Sequence, residues 1–145
     1  MKKTMLIFTF AFVSMFVNAQ TNSFELGVRL GYVASVDMAF PVKLNRVHSN
    51  IGWGIDYYLF DNCFDFKIPI VKEKWQIYTG PGFGFRYWDK TRSEHNGLGF
   101  AVLGEIGIEH RFSGPFTLGL DWTPFYDIVK SEFNNYGTIC LRYRF

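Results

Sequence analysis

Residues 136–145 alternate strictly with a period of two, and that alternation constrains the fold more than any other feature of the chain. Ile139, Leu141, Tyr143 and Phe145 fall on one face of an extended strand, and Cys140, Arg142 and Arg144 fall on the other. A sheet in water turns its apolar face to the core and its charges to solvent. A barrel that spans a bilayer inverts this, with apolar side chains toward lipid and charges toward the interior. One apolar face opposed by an arginine face is the inverted pattern.

Composition matters here because aromatic residues make up 20% of the chain, as 17 Phe, 8 Tyr and 4 Trp. Facing water, that load would be an aggregation hazard; facing lipid, it suits an apolar band edged by aromatic girdles. Near the start, Met1-Lys2-Lys3 is basic, residues 6–17 are apolar except for Thr9 and Ser14, and Val17-Asn18-Ala19 precedes Gln20. This reads as a secretory leader over residues 1–19, cleaved to leave a domain of residues 20–145. The apolar run is too short to span a membrane comfortably, and no cysteine follows the cut to carry a lipid anchor. Of the 15 basic side chains, Lys2 and Lys3 lie in the leader, leaving 13 against 13 acids. A neutral processed chain gives no reason to expect a nucleic-acid partner.

Eight segments alternate after the leader: residues 24–33, 36–44, 51–60, 64–71, 75–88, 98–112, 116–126 and 136–145. In the third, Ile51, Trp53, Ile55, Tyr57 and Leu59 are expected to point outward, opposite Gly52, Gly54, Asp56 and Tyr58. The connections then fall at 45–50, containing His48-Ser49-Asn50, on the side of the chain ends, and at Asp61-Asn62, followed by Cys63, on the other side. The longer polar stretches 89–96 and 127–135 lie on that second side too. No later segment reaches the ~18 apolar residues of a membrane helix. A spanning chain without such a helix must close its sheet, because lipid offers no partner to an open edge. The expected fold is all-β, an antiparallel eight-stranded up-and-down transmembrane barrel.

The inward faces decide between this barrel and a soluble sandwich. They carry Glu25, Asp37, Asp56, Asp65, Glu105, Glu109 and Asp121 with Arg29, Lys43, Lys67, Arg86, Arg111, Arg142 and Arg144, interspersed with glycine. Eight strands leave an interior that side chains fill, and charges buried there cost several kcal/mol each, on the order of magnitude usual for proteins, unless paired. The balance of signs predicts a charge network plugging the lumen.

The leader, the eight alternating segments, the glycine-rich charged interior and the ending Tyr143-Arg144-Phe145 together resemble the small outer-membrane β-barrel family of OmpA/OmpX type, over nearly all of residues 23–145. The resemblance implies the outer membrane of a Gram-negative-type bacterium, surrounding lipid, and a monomer. Gly137, Tyr143 and Phe145 look like the assembly signal of that family, which implies the barrel-assembly machinery and periplasmic chaperones as transient partners. Some members modify lipid A as acyltransferases or deacylases. The candidates for such chemistry are Ser93, Glu94 and His95, beside Lys90 and Arg92 in the outer connection, but neighbours on a polar loop do not impose the geometry that a nucleophile and its base require. Charge-paired packing likewise accounts for Glu105, Glu109 and Arg111 better than acid–base catalysis. The expected role is structural or interactive, without catalytic residues or cofactor. A lipid A-modifying enzyme is the alternative, and a narrow solute channel a weaker one. No metal is expected, since no histidines or cysteines stand at ligand spacing. Cys63 at a turn and Cys140 in the lumen are expected to remain thiols.

Overall fold

The computed structural model describes residues 24–54, 57–71, 74–88 and 97–145. Eight strands, β1 (Glu25–Gly31), β2 (Ala34–Val42), β3 (Asn45–Trp53), β4 (Tyr57–Val71), β5 (Trp75–Trp88), β6 (Gly97–Arg111), β7 (Phe116–Asp127) and β8 (Glu132–Arg144), follow one another around a closed barrel. Every pairing is antiparallel, and β8 returns to pair with β1 from Glu25↔Arg144 to Gly31↔Thr138. Closure matters physically because each backbone amide finds its partner on the next strand and no edge is left over. The leader, Asp56 and the connection 89–96 lie outside the described residues.

Strands β5 to β8 follow the alternation of the sequence closely. Outward side chains such as Ile77, Phe85, Ile106, Leu120, Trp122 and Leu141 are exposed, while Tyr78, Arg86, Glu105, Glu109, Thr123 and Arg142 are buried. Aromatic side chains gather toward the ends of the barrel. On the side of the chain ends Phe116 packs on Tyr143, Tyr143 on Phe145 and Trp75 on His110; at the opposite end Tyr57 packs on Trp88 and Tyr58 on Tyr87.

The structure corrects the sequence reading between residues 43 and 63. The hairpin turns at Lys43-Leu44, with Lys43 in the left-handed region at φ 56°, and β3 begins at once with Asn45. Residues 45–50 are therefore strand, and His48 and Asn50 point into the lumen. The 51–60 segment is divided between two strands on either side of a turn near Gly54, whose amide donates to Tyr57 O at 2.7 Å. Crossing that turn exchanges the faces: Tyr57 and Leu59 are buried and Tyr58 is exposed, opposite to the expectation. Asp61, Asn62 and Cys63 lie within β4, with Asp61 and Cys63 buried in the barrel rather than at an external turn.

The cause is a polar pair on the outward face. Ser49 and Asn62 are register partners across β3 and β4, and Ser49 Oγ donates to Asn62 Oδ1 at 2.6 Å. The Ser49 hydroxyl proton is taken up by the Asn62 amide oxygen, so two polar residues sit paired where the pattern calls for apolar ones. Read one strand at a time they look like loops. Similarly, β8 starts at Glu132, pairing with Asp127, so the outer turn shrinks to Ile128–Ser131 instead of running to residue 135.

The revised register is testable. Ile51 and Phe60 are partners across β3 and β4, which puts their Cα atoms about 4.5–5.5 Å apart, within disulfide reach. In a chain with Cys63 and Cys140 replaced by alanine, Ile51→Cys with Phe60→Cys is expected to cross-link on mild oxidation. A continuous strand over 51–60 would hold the two thiols far apart, and no shift on non-reducing gels would be seen.

Candidate functional site: the charged lumen

Alternation turns every second side chain toward the barrel axis, charges among glycines and small or aromatic residues, and the strand register decides which charges meet. Three buried arginines organise the middle of the lumen. Arg29 on β1 donates to Glu105 Oε1 on β6 at 2.8 Å and lies 3.3 Å from Asp121 on β7. Arg46 on β3 donates through Nε to Asp65 at 2.7 Å and through Nη1 to Glu109 at 2.6 Å. Arg142 on β8 shares Glu109 at 2.5 Å and also meets Asp37 at 3.2 Å and Glu25 at 3.0 Å. These ties run across the cylinder, joining β1 and β3 to β6, as well as between neighbouring strands. The three guanidinium groups and their carboxylates are at most a few per cent exposed. Arg46 also stacks over the Tyr78 ring at 4.1 Å, a favourable face for a planar cation.

His48 sits at the hub. Its Nε2 is 2.5 Å from Asp37 Oδ1 and its Nδ1 is 2.9 Å from Glu105 Oε2. Arg29 Nη2 lies 2.7 and 3.2 Å from the two ring nitrogens. A single atom so near both cannot lie on the in-plane lone pair of either, so it packs against the ring instead. Both nitrogens then donate to carboxylates, which is the hydrogen-bonding pattern of an imidazolium.

A second tier lies toward the end of the barrel away from the chain ends. Arg86 Nη1 and Nη2 grip Asp61 Oδ1 and Oδ2 at 2.6 and 3.0 Å, a bidentate pair with fixed orientation. Tyr136 reaches across from β8 to donate to Asp61 Oδ2 at 2.6 Å. Phe125 receives the Arg86 guanidinium on its ring at 4.1 Å. Gly84 makes this tier possible, because a Cβ there would collide with the Asp61 carboxylate and the Arg86 guanidinium. Further out, Lys130 Nζ lies 3.1 Å above the Trp88 ring.

The residues anticipated as a lumen network do not all meet. Glu25, Arg29, Asp37, Asp65, Glu105, Glu109, Asp121 and Arg142 come together in the central tier. Arg111 joins at its margin, 3.2 Å from Glu25 and partly exposed. Arg86 belongs to the separate outer tier. Arg144 joins neither: its Nη2 donates to the carbonyls of Phe112, at 3.0 Å, and Gly114, holding the β6–β7 turn. Its place at the last position of β8 puts the guanidinium at the mouth, beyond the reach of the lumen acids. Asp56, Lys90, Arg92, Ser93, Glu94 and His95 are outside the described residues. Arg46 and His48 are functional residues that the sequence hides inside a polar run resembling a connection, and Asp61 is hidden in a dipeptide resembling a turn. The signal within reach was the continued alternation of Arg46, His48, Asn50 and Gly52.

The residues read as an assembly signal lie on the outer surface. Tyr143 and Phe145 are exposed, Phe145 N donates to Phe24 O at 2.9 Å, and Gly137 is the register partner of Trp122.

His48, Asp65 and Glu105 bring donor atoms within 4.8 Å of one another, as near as a metal set requires. Each carboxylate already accepts from a guanidinium, however, and a divalent cation there would face Arg29 and Arg46 at short range. The donor set fits an ion-pair network and not a metal centre.

The outer pair offers a clean measurement of these buried charges. Arg86→Met leaves Asp61 buried with only Tyr136 as donor and is expected to cost about 3–5 kcal/mol in denaturant unfolding of the detergent-solubilised barrel. Adding Asp61→Asn to the same chain should recover most of the loss. Arg144→Ala, at the mouth-side end of β8, should change the midpoint by under about 1 kcal/mol.

No protein-family model matches the sequence, and no curated protein is significantly similar to it. Among solved structures the barrel is similar to the N-terminal β-barrel domain of Pseudomonas aeruginosa OprF, with a TM-score of 0.60 at 10% identity. The match covers 85% of this chain and 96% of that domain. At that identity the likeness is one of fold, and the fold is that of an OmpA-type small barrel: all-β, closed, eight-stranded and up-and-down.

Proposed function

We propose that this chain is an outer-membrane β-barrel protein of a Gram-negative-type bacterium, with a structural or interaction role and a lumen plugged by its own charges. The observation that carries the reading is the inversion of the two faces. Outward positions are lined with large exposed apolar side chains from Leu26 to Leu141, while the fully buried large side chains are led by Arg29, Arg46, Arg86 and Arg142. Water would destabilise the first face, and only a closed, self-paired interior tolerates the second. A bilayer satisfies both.

Cross-lumen ties at two levels, Arg29–Glu105 in the middle and Tyr136–Asp61 beyond it, leave no straight water path in this reading. That argues against a solute channel. The side carrying the chain ends, with the short turns at Lys43-Leu44 and 112–115, faces the periplasm, and Ile128–Ser131 faces outward. Tyr143 and Phe145, exposed on the last strand, are available to the barrel-assembly machinery, and periplasmic chaperones would carry the unfolded chain there. The buried acids and bases of the described residues are committed to ion pairs with one another, which favours the structural reading over a lipid A-modifying one.

Expressed in a Gram-negative host, the protein should fractionate with the outer membrane and run faster on gels unheated than boiled. In planar bilayers it should add no unitary conductance steps. Recovery as a stable, detergent-free soluble protein would refute membrane residence, and steady channel steps would refute the plugged lumen.

A further inference from the structure

The periplasm-side mouth of the lumen holds a polar cavity of about 60 Å³ lined by Glu25, Ala39, Pro41, Lys43, Arg46, Lys67 and Arg111. Four cations thus converge on one carboxylate. On this measure a single water needs only ~10–15 Å³, so the space admits a group the size of phosphate.

The charges around it are not all spoken for. Arg46 is 2% exposed. Its Nε and Nη1 are bound to Asp65 and Glu109, yet its Nη2 is buried with no hydrogen-bond acceptor among the described residues. A buried charged N–H without a partner is expensive and uncommon. Lys67 points inward at the end of β4, half-buried, and no carboxylate among the described residues lies within salt-bridge distance of it or of Lys43. Arg111 turns Nη2 to Glu25 at 3.2 Å, and its Nε lies 3.5 Å from Glu109 Oε1, near enough for an ion pair but without a hydrogen bond. The central tier and this mouth set six lysines and arginines (Arg29, Lys43, Arg46, Lys67, Arg111, Arg142) against six carboxylates (Glu25, Asp37, Asp65, Glu105, Glu109, Asp121). Four of those six cations line the mouth, and only one of the carboxylates does.

From this geometry we infer that the mouth is an oxyanion site, built to take a phosphate group on Arg46 Nη2, Arg111 Nε and the ammonium groups of Lys43 and Lys67. The two guanidinium groups supply directed donors and the two lysines mobile positive charge, the division of labour suited to a tetrahedral anion. The phosphate can come from free periplasmic phosphate or from a lipid headgroup folded over the rim. The site rests on the closed barrel and its register, and does not depend on which side of a membrane the mouth faces.

The test is calorimetric titration of inorganic phosphate into the barrel purified in a maltoside detergent, at constant ionic strength against chloride. Saturable binding is expected. Lys67→Gln and Lys43→Asn, the latter suited to the left-handed turn, should each weaken it about tenfold, the loss of one charge-assisted contact. Lys74→Gln, on a neighbouring turn outside the cavity, should leave it unchanged. Unheated gel mobility reports folding of every variant, and neither lysine holds an ion pair that the barrel needs. Displacement of phosphate by short-chain phosphatidylglycerol would assign the headgroup as the source, and failure to displace would assign free phosphate; both support the site. Absence of saturable binding by the unmutated protein up to millimolar phosphate would overturn the proposal. So would an equal loss in Lys74→Gln, which would reduce the effect to general charge attraction.

Discussion

The whole structure depends on how a narrow lumen accommodates charge. Eight strands enclose a space that side chains must fill, and alternation sends at least one charged residue into it from every strand. Taken from water singly, each would cost several kcal/mol, the usual order for buried ions. The register removes most of that penalty by aiming each arginine at acids on other strands: Arg29 at Glu105, Arg46 and Arg142 at a shared Glu109, Arg86 at Asp61. Because these partners are far apart in sequence, pairing them correctly requires the strand order and register to be right everywhere at once. The ion pairs therefore act as specificity devices for one closed arrangement more than as a source of stability.

The outer wall shows the complementary limit. It has only to be apolar, so its residues are interchangeable and carry little information beyond the period. That explains which parts were legible in the sequence. β5 to β8 alternate without interruption, and their limits and inward residues could be read to within a few positions. β3 and the first half of β4 could not be read, because Ser49 and Asn62 satisfy each other across the strands. A pattern read along one strand cannot see a partner on the next.

The lumen was legible in kind and not in connection. Glycine plus balanced charge on one face announces a paired interior, and eight of the anticipated charges meet in its central tier. Which acid meets which base depends on inter-strand stagger, which no single segment encodes. Arg86 and Arg144 show this: both alternate correctly, yet one belongs to a separate tier and the other to a turn. His48 shows the opposite case, a hub residue hidden inside a run that looked like a connection.

The pairing of β8 with β1 has a kinetic corollary. Glu25 and Arg144 are register partners, so the cylinder shuts only after almost the whole polypeptide has emerged. Until then an incomplete sheet has two raw margins that hydrocarbon cannot hydrate, and its unmatched arginines have no counterions across the gap. On the membrane reading proposed above, six or seven strands would leave these margins facing hydrocarbon, and the β1–β8 junction is the contact that removes them.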